Sequence, residues 1–87
     1  MARTYAVLVD TRAQKEITKL NKDAQRRIVA KIESLARNPR PNGFDKLESS
    51  EELYRVRVGD FRIIYQIKDR ELIVLVVRVG HRREVYR

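Results

Sequence analysis

The sequence has no cysteine and a single histidine, His81. The first absence removes disulfides, thiolate metal sites and thiol nucleophiles; the second removes any histidine-rich metal cluster, so the chemistry is expected to need neither metal nor cofactor. Long apolar runs are also lacking. The longest, Leu72 to Val77, is far short of a membrane span, and the N-terminus carries no stretch resembling the apolar core of a secretory signal. A cytoplasmic location with no membrane partner is the expectation. Repeats, low-complexity tracts and linker-like stretches are missing too, so residues 1–87 read as one domain around one core.

Positive charge is in excess. Twenty Lys and Arg stand against twelve Asp and Glu, a net charge of +8, which on so small a surface favours a polyanionic partner. Before Leu53 there are eleven basic and eight acidic residues; from Leu53 onward there are nine and four, in fewer residues. Eight of those nine are arginine. The planar guanidinium matches phosphate oxygens two at a time, so the C-terminal part reads as built for phosphate recognition.

Periodicity predicts the elements. Tyr5 to Val9, aromatic and β-branched, is a strand. Asp10 or Thr11 caps a helix with Ala13, Ile17 and Leu20 on one stripe. Asn21 caps a second helix, with Asp23 in its first turn and Ala24, Ile28, Ile32 and Leu35 along one face; Pro39 stops it at about Asn38. So short a connection folds the two helices into an antiparallel hairpin. A turn-rich loop of Pro39, Pro41, Asn42 and Gly43 leads into a polar stretch from Lys46 to Glu52. Three strands follow. In Leu53 to Val58, Tyr54, Val56 and Val58 alternate with Arg55 and Arg57. After the Gly59-Asp60 turn, Phe61, Ile63, Tyr65 and Ile67 alternate with Arg62, Gln66 and Lys68. Glu71 to Val79 is almost continuously apolar, as in a strand central in its sheet, and Gly80 is expected to end it. The fold class is α+β: strand, helical hairpin, then a three-stranded antiparallel meander in one sheet with the helices on one face.

If the helices cover the face bearing Tyr54, Val56, Phe61 and Ile63, the alternation gathers Arg55, Arg57 and Arg62 on the opposite, open face. A bend at Gly80 would bring His81, Arg82, Arg83, Tyr86 and Arg87 to one end of it. These are ingredients for cutting RNA without metal: a group that takes the 2′-hydroxyl proton, arginines that neutralise phosphorane-like charge, and an acid for the leaving oxygen. Each piece also has a plainer role. Basic residues on a strand blunt edge pairing, and a tyrosine such as Tyr86 covers the end of a core. Their coincidence on one surface favours the chemical reading.

LYRVRVGDFRIIYQI (Leu53 to Ile67) and VGHRREVYR (Val79 to Arg87) resemble the strand signature and C-terminal tail of the RelE toxins of the RelE/ParE superfamily. The leading strand, the Lys19-Leu20 helix end and the Lys46-Leu47 pair match in type and order, so the resemblance spans the chain. It implies a RelE-like fold and the toxin of a type II toxin-antitoxin pair, cleaving mRNA in the ribosomal A site and neutralised by a RelB-like antitoxin in an oligomeric complex. It also implies a catalytic set of Arg55, Arg57, Arg62, Arg82 and Tyr86; Lys46, Arg78, Arg83 and Arg87 are expected as further RNA contacts.

There are departures from that pattern. Some members carry lysines where Arg55 and Arg57 stand, one of them the proposed proton acceptor; a guanidinium stays protonated, so His81 or Tyr86 is the expected replacement, with His81 the proton shuttle. Glu48 replaces a basic residue of some relatives, and the further helix some carry after this tail is expected to be missing. Rival readings are a ParE-like toxin that binds DNA gyrase and a non-catalytic RNA- or ribosome-binding domain.

Overall fold

Asp10 ends the first strand and opens the first helix. The computed structural model describes residues 4–47 and 52–81. Strand β1 (Ala6–Val9) runs into Asp10, whose carboxylate accepts from the Arg12 backbone N–H at the head of α1 (Thr11–Thr18). The next cap is tighter: Asn21 Oδ1 accepts from Ala24 N at 2.8 Å, and α2 spans Lys22–Ser34. This helix is shorter than its periodicity implies. Beyond Ser34 the backbone tightens, with Ala36 N donating to Glu33 O and Arg37 N to Ser34 O, so Leu35 still reaches the core although the helix is over.

Five strands form one sheet, in the order β1-β5-β4-β3-β2, with β2 at Asp45–Lys46, β3 at Leu53–Val58, β4 at Phe61–Lys68 and β5 at Ile73–His81. The β3-β4-β5 meander is antiparallel as expected, and β1 joins parallel to β5, Ala6 opposite Ile73 through Val9 opposite Val76. That central place, between β1 and β4, accounts for the continuous apolar run of β5. Two expected boundaries shift. Leu72 adopts a left-handed φ of 54°, which prolongs the turn and delays β5 to Ile73. Gly80 does not end the strand; it stays in the ladder opposite Arg62, and His81 pairs opposite Phe61.

Both helices pack on one face. Ala13, Ile28, Ile32 and Leu35 meet Val56, Ile63, Tyr65, Ile67, Val74, Val76 and Val79, with Tyr54, Val58 and Phe61 packed around them. Each fully buried Ile or Leu contributes roughly 1.5–3 kcal/mol. One irregularity keeps this face apolar. Tyr65 stands opposite Val76 and Ile64 opposite Arg78, so Val77 is an extra residue in β5. Without that bulge the alternation Val74, Val76 would continue to Arg78; with it, Val79 takes the core position.

The far end is tied by polar groups. Tyr5 Oη donates to Asp69 Oδ1 at 2.7 Å, and Arg40 grips both carboxylate oxygens at 3.2 and 2.8 Å. Arg40, with help from Tyr5, holds the Asp69 carboxyl down to about 2, and the same hydrogen bond to Asp69 raises the Tyr5 phenol. Inside, Tyr65 Oη donates to Pro39 O at 2.8 Å. Burial pushes that phenol up to about 12.

Candidate functional site

Pairing across β3 and β4 sorts the arginines. Val56 opposes Ile63 in the core, so Arg55, opposite Ile64, and Arg57, opposite Arg62, belong to the other face. Face assignment therefore agrees with the alternation of the sequence, but depth does not. Arg57 is exposed and Arg55 half-buried, while Arg62 is only 7% exposed, with its Nε and Nη1 shielded from solvent. The expected open surface is instead a cleft of about 240 Å³ lined by Gly43, Asp45, Arg55, Val56, Arg57 and Arg62. Its outer wall is the segment entering β2: Gly43 takes φ of 85°, accessible to a residue without Cβ, and Asp45 follows opposite Arg55.

Asp45 is the functional candidate that sequence reasoning passed over. Its Oδ2 accepts from Arg55 Nη2 at 3.0 Å, and its side chain stays 63% exposed. The only signal in the sequence is an acidic residue before Lys46-Leu47, and nothing local shows that a two-residue strand sets it against Arg55.

Register, or for Arg78 a competing ion pair, separates other candidates from this cleft. His81 stands opposite Phe61, their ring centroids 6.1 Å apart in an edge-on arrangement, and Phe61 packs against the core. His81 thus belongs to the helix-covered face, while its neighbour Gly80 opposes Arg62. Lys46 is exposed and stands opposite Tyr54, also away from the arginine face. Arg78 is half-buried and engaged by α1: its Nε lies 3.1 Å from Glu16 Oε2, and Glu16 Oε1 accepts from Val79 N at 2.8 Å. Because β1 has ended at Val9, that carboxylate takes up a β5 edge amide which no strand reaches. Arg82, Arg83, Tyr86 and Arg87, and with them Glu48, lie outside the described residues.

Three arginines around one concavity can hold a phosphodiester and stabilise negative charge as it grows, since ionised donors in a partly shielded site act more strongly than in water. Guanidinium groups cannot take up a proton. Among the described residues no set of three His, Cys, Asp or Glu side chains could hold a metal ion, and no helix is long and apolar enough to cross a membrane.

Residues 7–86 match the family described as the ParE toxin of type II toxin-antitoxin systems, parDE. A putative RelE-like toxin protein of Escherichia coli is 36% identical over 81 residues, covering 90% of this chain and 83% of the relative. The mRNA interferase toxin RelE of Escherichia coli is 30% identical over 86 residues, 94% of this chain and 90% of the relative. Among solved structures, the archaeal RelE-RelB complex from Pyrococcus horikoshii superposes with a TM-score of 0.81 at 28% identity, over 94% of this chain and 99% of that one. By the match over residues 7–86 and by these relatives, this chain belongs to the RelE/ParE family of type II toxin-antitoxin systems.

Proposed function

We propose that this protein cleaves mRNA in the A site of translating ribosomes, in the cytoplasm, and is held inactive by a RelB-like antitoxin in an oligomeric complex. The observation that carries the reading is the cleft in which Arg55, Arg57 and the buried Arg62 converge from paired strands. The name and activity of the interferase relative support it, as do the toxin-antitoxin complexes among its structural neighbours.

In this scheme Arg55, Arg57, Arg62 and Arg82 hold the scissile phosphate, and Tyr86 stacks on or orients a base. Lys46, Arg78, Arg83 and Arg87 add weaker contacts to the backbone; Arg78 has the least to give, since Glu16 already holds it. The 2′-oxygen attacks the adjacent phosphorus, the bond to the 5′-oxygen breaks, and the arginines stabilise the charge on the non-bridging oxygens without a metal ion. Its place opposite Phe61 weighs against His81 as the proton shuttle. With so few bases at hand, the enzyme relies on the ribosome to bend the mRNA into line for attack, and free RNA is a poor substrate.

Primer extension on mRNA in a translating extract tests this. Wild type is expected to give codon-phased cuts that Arg62→Ala and Tyr86→Phe abolish; a wild type that binds ribosomes without cutting would leave only the passive RNA-binding reading. The family's ParE description favours a second reading, binding to DNA gyrase. Inhibition of supercoiling without mRNA cuts would establish it instead.

A further inference from the structure

We propose that Asp45 is the proton acceptor that the all-arginine face lacks. This rests on the cleavage reading above and adds a catalytic residue to it. Within the cleft, Asp45 carries the only carboxylate among the described lining residues, and a carboxylate can accept a proton where Arg55, Arg57 and Arg62 cannot. Cross-strand pairing sets Asp45 opposite Arg55, on the arginine face, whereas His81, the other described base considered for the role, belongs to the opposite face.

The Asp45-Arg55 contact also prepares an exchange. The Asp45 carboxylate accepts from one arm of the Arg55 fork at 3.0 Å, a donor that a phosphate can also engage. This is a surface pair, 25% and 63% exposed, so it is weak and readily broken. An incoming scissile phosphate takes Arg55, and Asp45 is released beside the nucleotide whose 2′-hydroxyl must lose its proton. The carboxylate takes that proton as the 2′-oxygen forms its bond to phosphorus. The 5′-oxygen leaves with the electrons of the broken bond and is protonated by water. The products are a 2′,3′-cyclic phosphate and a 5′-hydroxyl, and Asp45 returns its proton to solvent.

Programmed ribosomes provide the test, with single-turnover cleavage read on ordinary mRNA and affinity on mRNA carrying a 2′-deoxy nucleotide at the cut position. Asp45→Asn is expected to slow cleavage by about a hundredfold or more, in the range general bases supply, while affinity stays equal or tightens because an anion has left the cleft. Asp45→Glu should restore part of the rate. Cleavage by Asp45→Asn within about threefold of wild type, against that same general-base scale, overturns the assignment. So does a loss of affinity that matches the loss of rate, which would make Asp45 a merely structural partner of Arg55. If wild type itself makes no cuts, the cleavage reading fails, and the assignment falls with it.

Discussion

Arg57 and Arg62 stand directly opposite one another across the β3-β4 ladder, two cations where sheets ordinarily avoid like charges. Arg62 is the more burdened of the two, being almost wholly buried. Two cations side by side are suited to attracting a phosphate. Arg62→Met removes the buried cation of the cleft and is expected to abolish mRNA cleavage. Primer extension checks this, with thermal denaturation to verify that the variant is folded; cuts at the wild-type level would remove Arg62 from the phosphate site.

Acid should expose the clamp at the other end. Asp69 titrates at about 2 in the folded chain and near 3.9 when unfolded, so its contribution to stability is present above the unfolded value and is lost as the pH falls toward 2. Asp69→Asn is expected to lower the urea midpoint at pH 7 and to differ little from wild type near pH 2. Arg40 and Asp69 are 41% and 53% exposed, so added salt should narrow the difference at pH 7. A gap that persists at pH 2 would place the effect elsewhere.

Tyr65 makes a complementary prediction in base. Tyr65→Phe removes the bond to Pro39 O and should cost about 1 kcal/mol in urea unfolding at pH 7. In wild type the folded phenol ionises at about 12 and the unfolded one near 10, so this share of stability is whole below pH 10 and is lost as the pH rises through 12. Ultraviolet titration should find a tyrosine ionising at about 12 that is absent from Tyr65→Phe.

Glu16 guards the open edge of β5. Glu16→Ala leaves the Val79 amide without its acceptor and frees Arg78, which should lower amide-exchange protection at Val79 by about 1–3 kcal/mol. Val74 and Val76, paired with β1, should keep theirs. Equal loss along the whole strand would mean global destabilisation.

Much of this architecture was legible from periodicity. Alternation in Leu53–Val58 and Phe61–Lys68 assigned Arg55, Arg57 and Arg62 to one face, and Asn21 marked the start of α2 by its side-chain chemistry. Three things were not legible, each because it depends on pairing between distant segments. The depth of Arg62 is set in the folded cleft, which it lines together with Gly43 and Asp45 from a distant part of the chain. The face of His81 depends on register, where a shift of one residue reverses every side chain. The bulge at Val77, which puts Arg78 opposite Ile64 and Val79 in the core, leaves no mark in the run of valines.

The parallel pairing of β1 with β5 gives the molecule an order of assembly. The first strand has no neighbour in the sheet until Ile73 to Val76 exist, and β4 lacks one side until β5 arrives. Contacts this distant in sequence close late and slowly. A growing chain can build its helical hairpin and the β3-β4 ladder early, yet the core under them stays open until the final strand slots between β1 and β4. An unfinished copy therefore lacks the central strand of the sheet that carries the arginine cleft, so the cleft is complete only once β5 has joined.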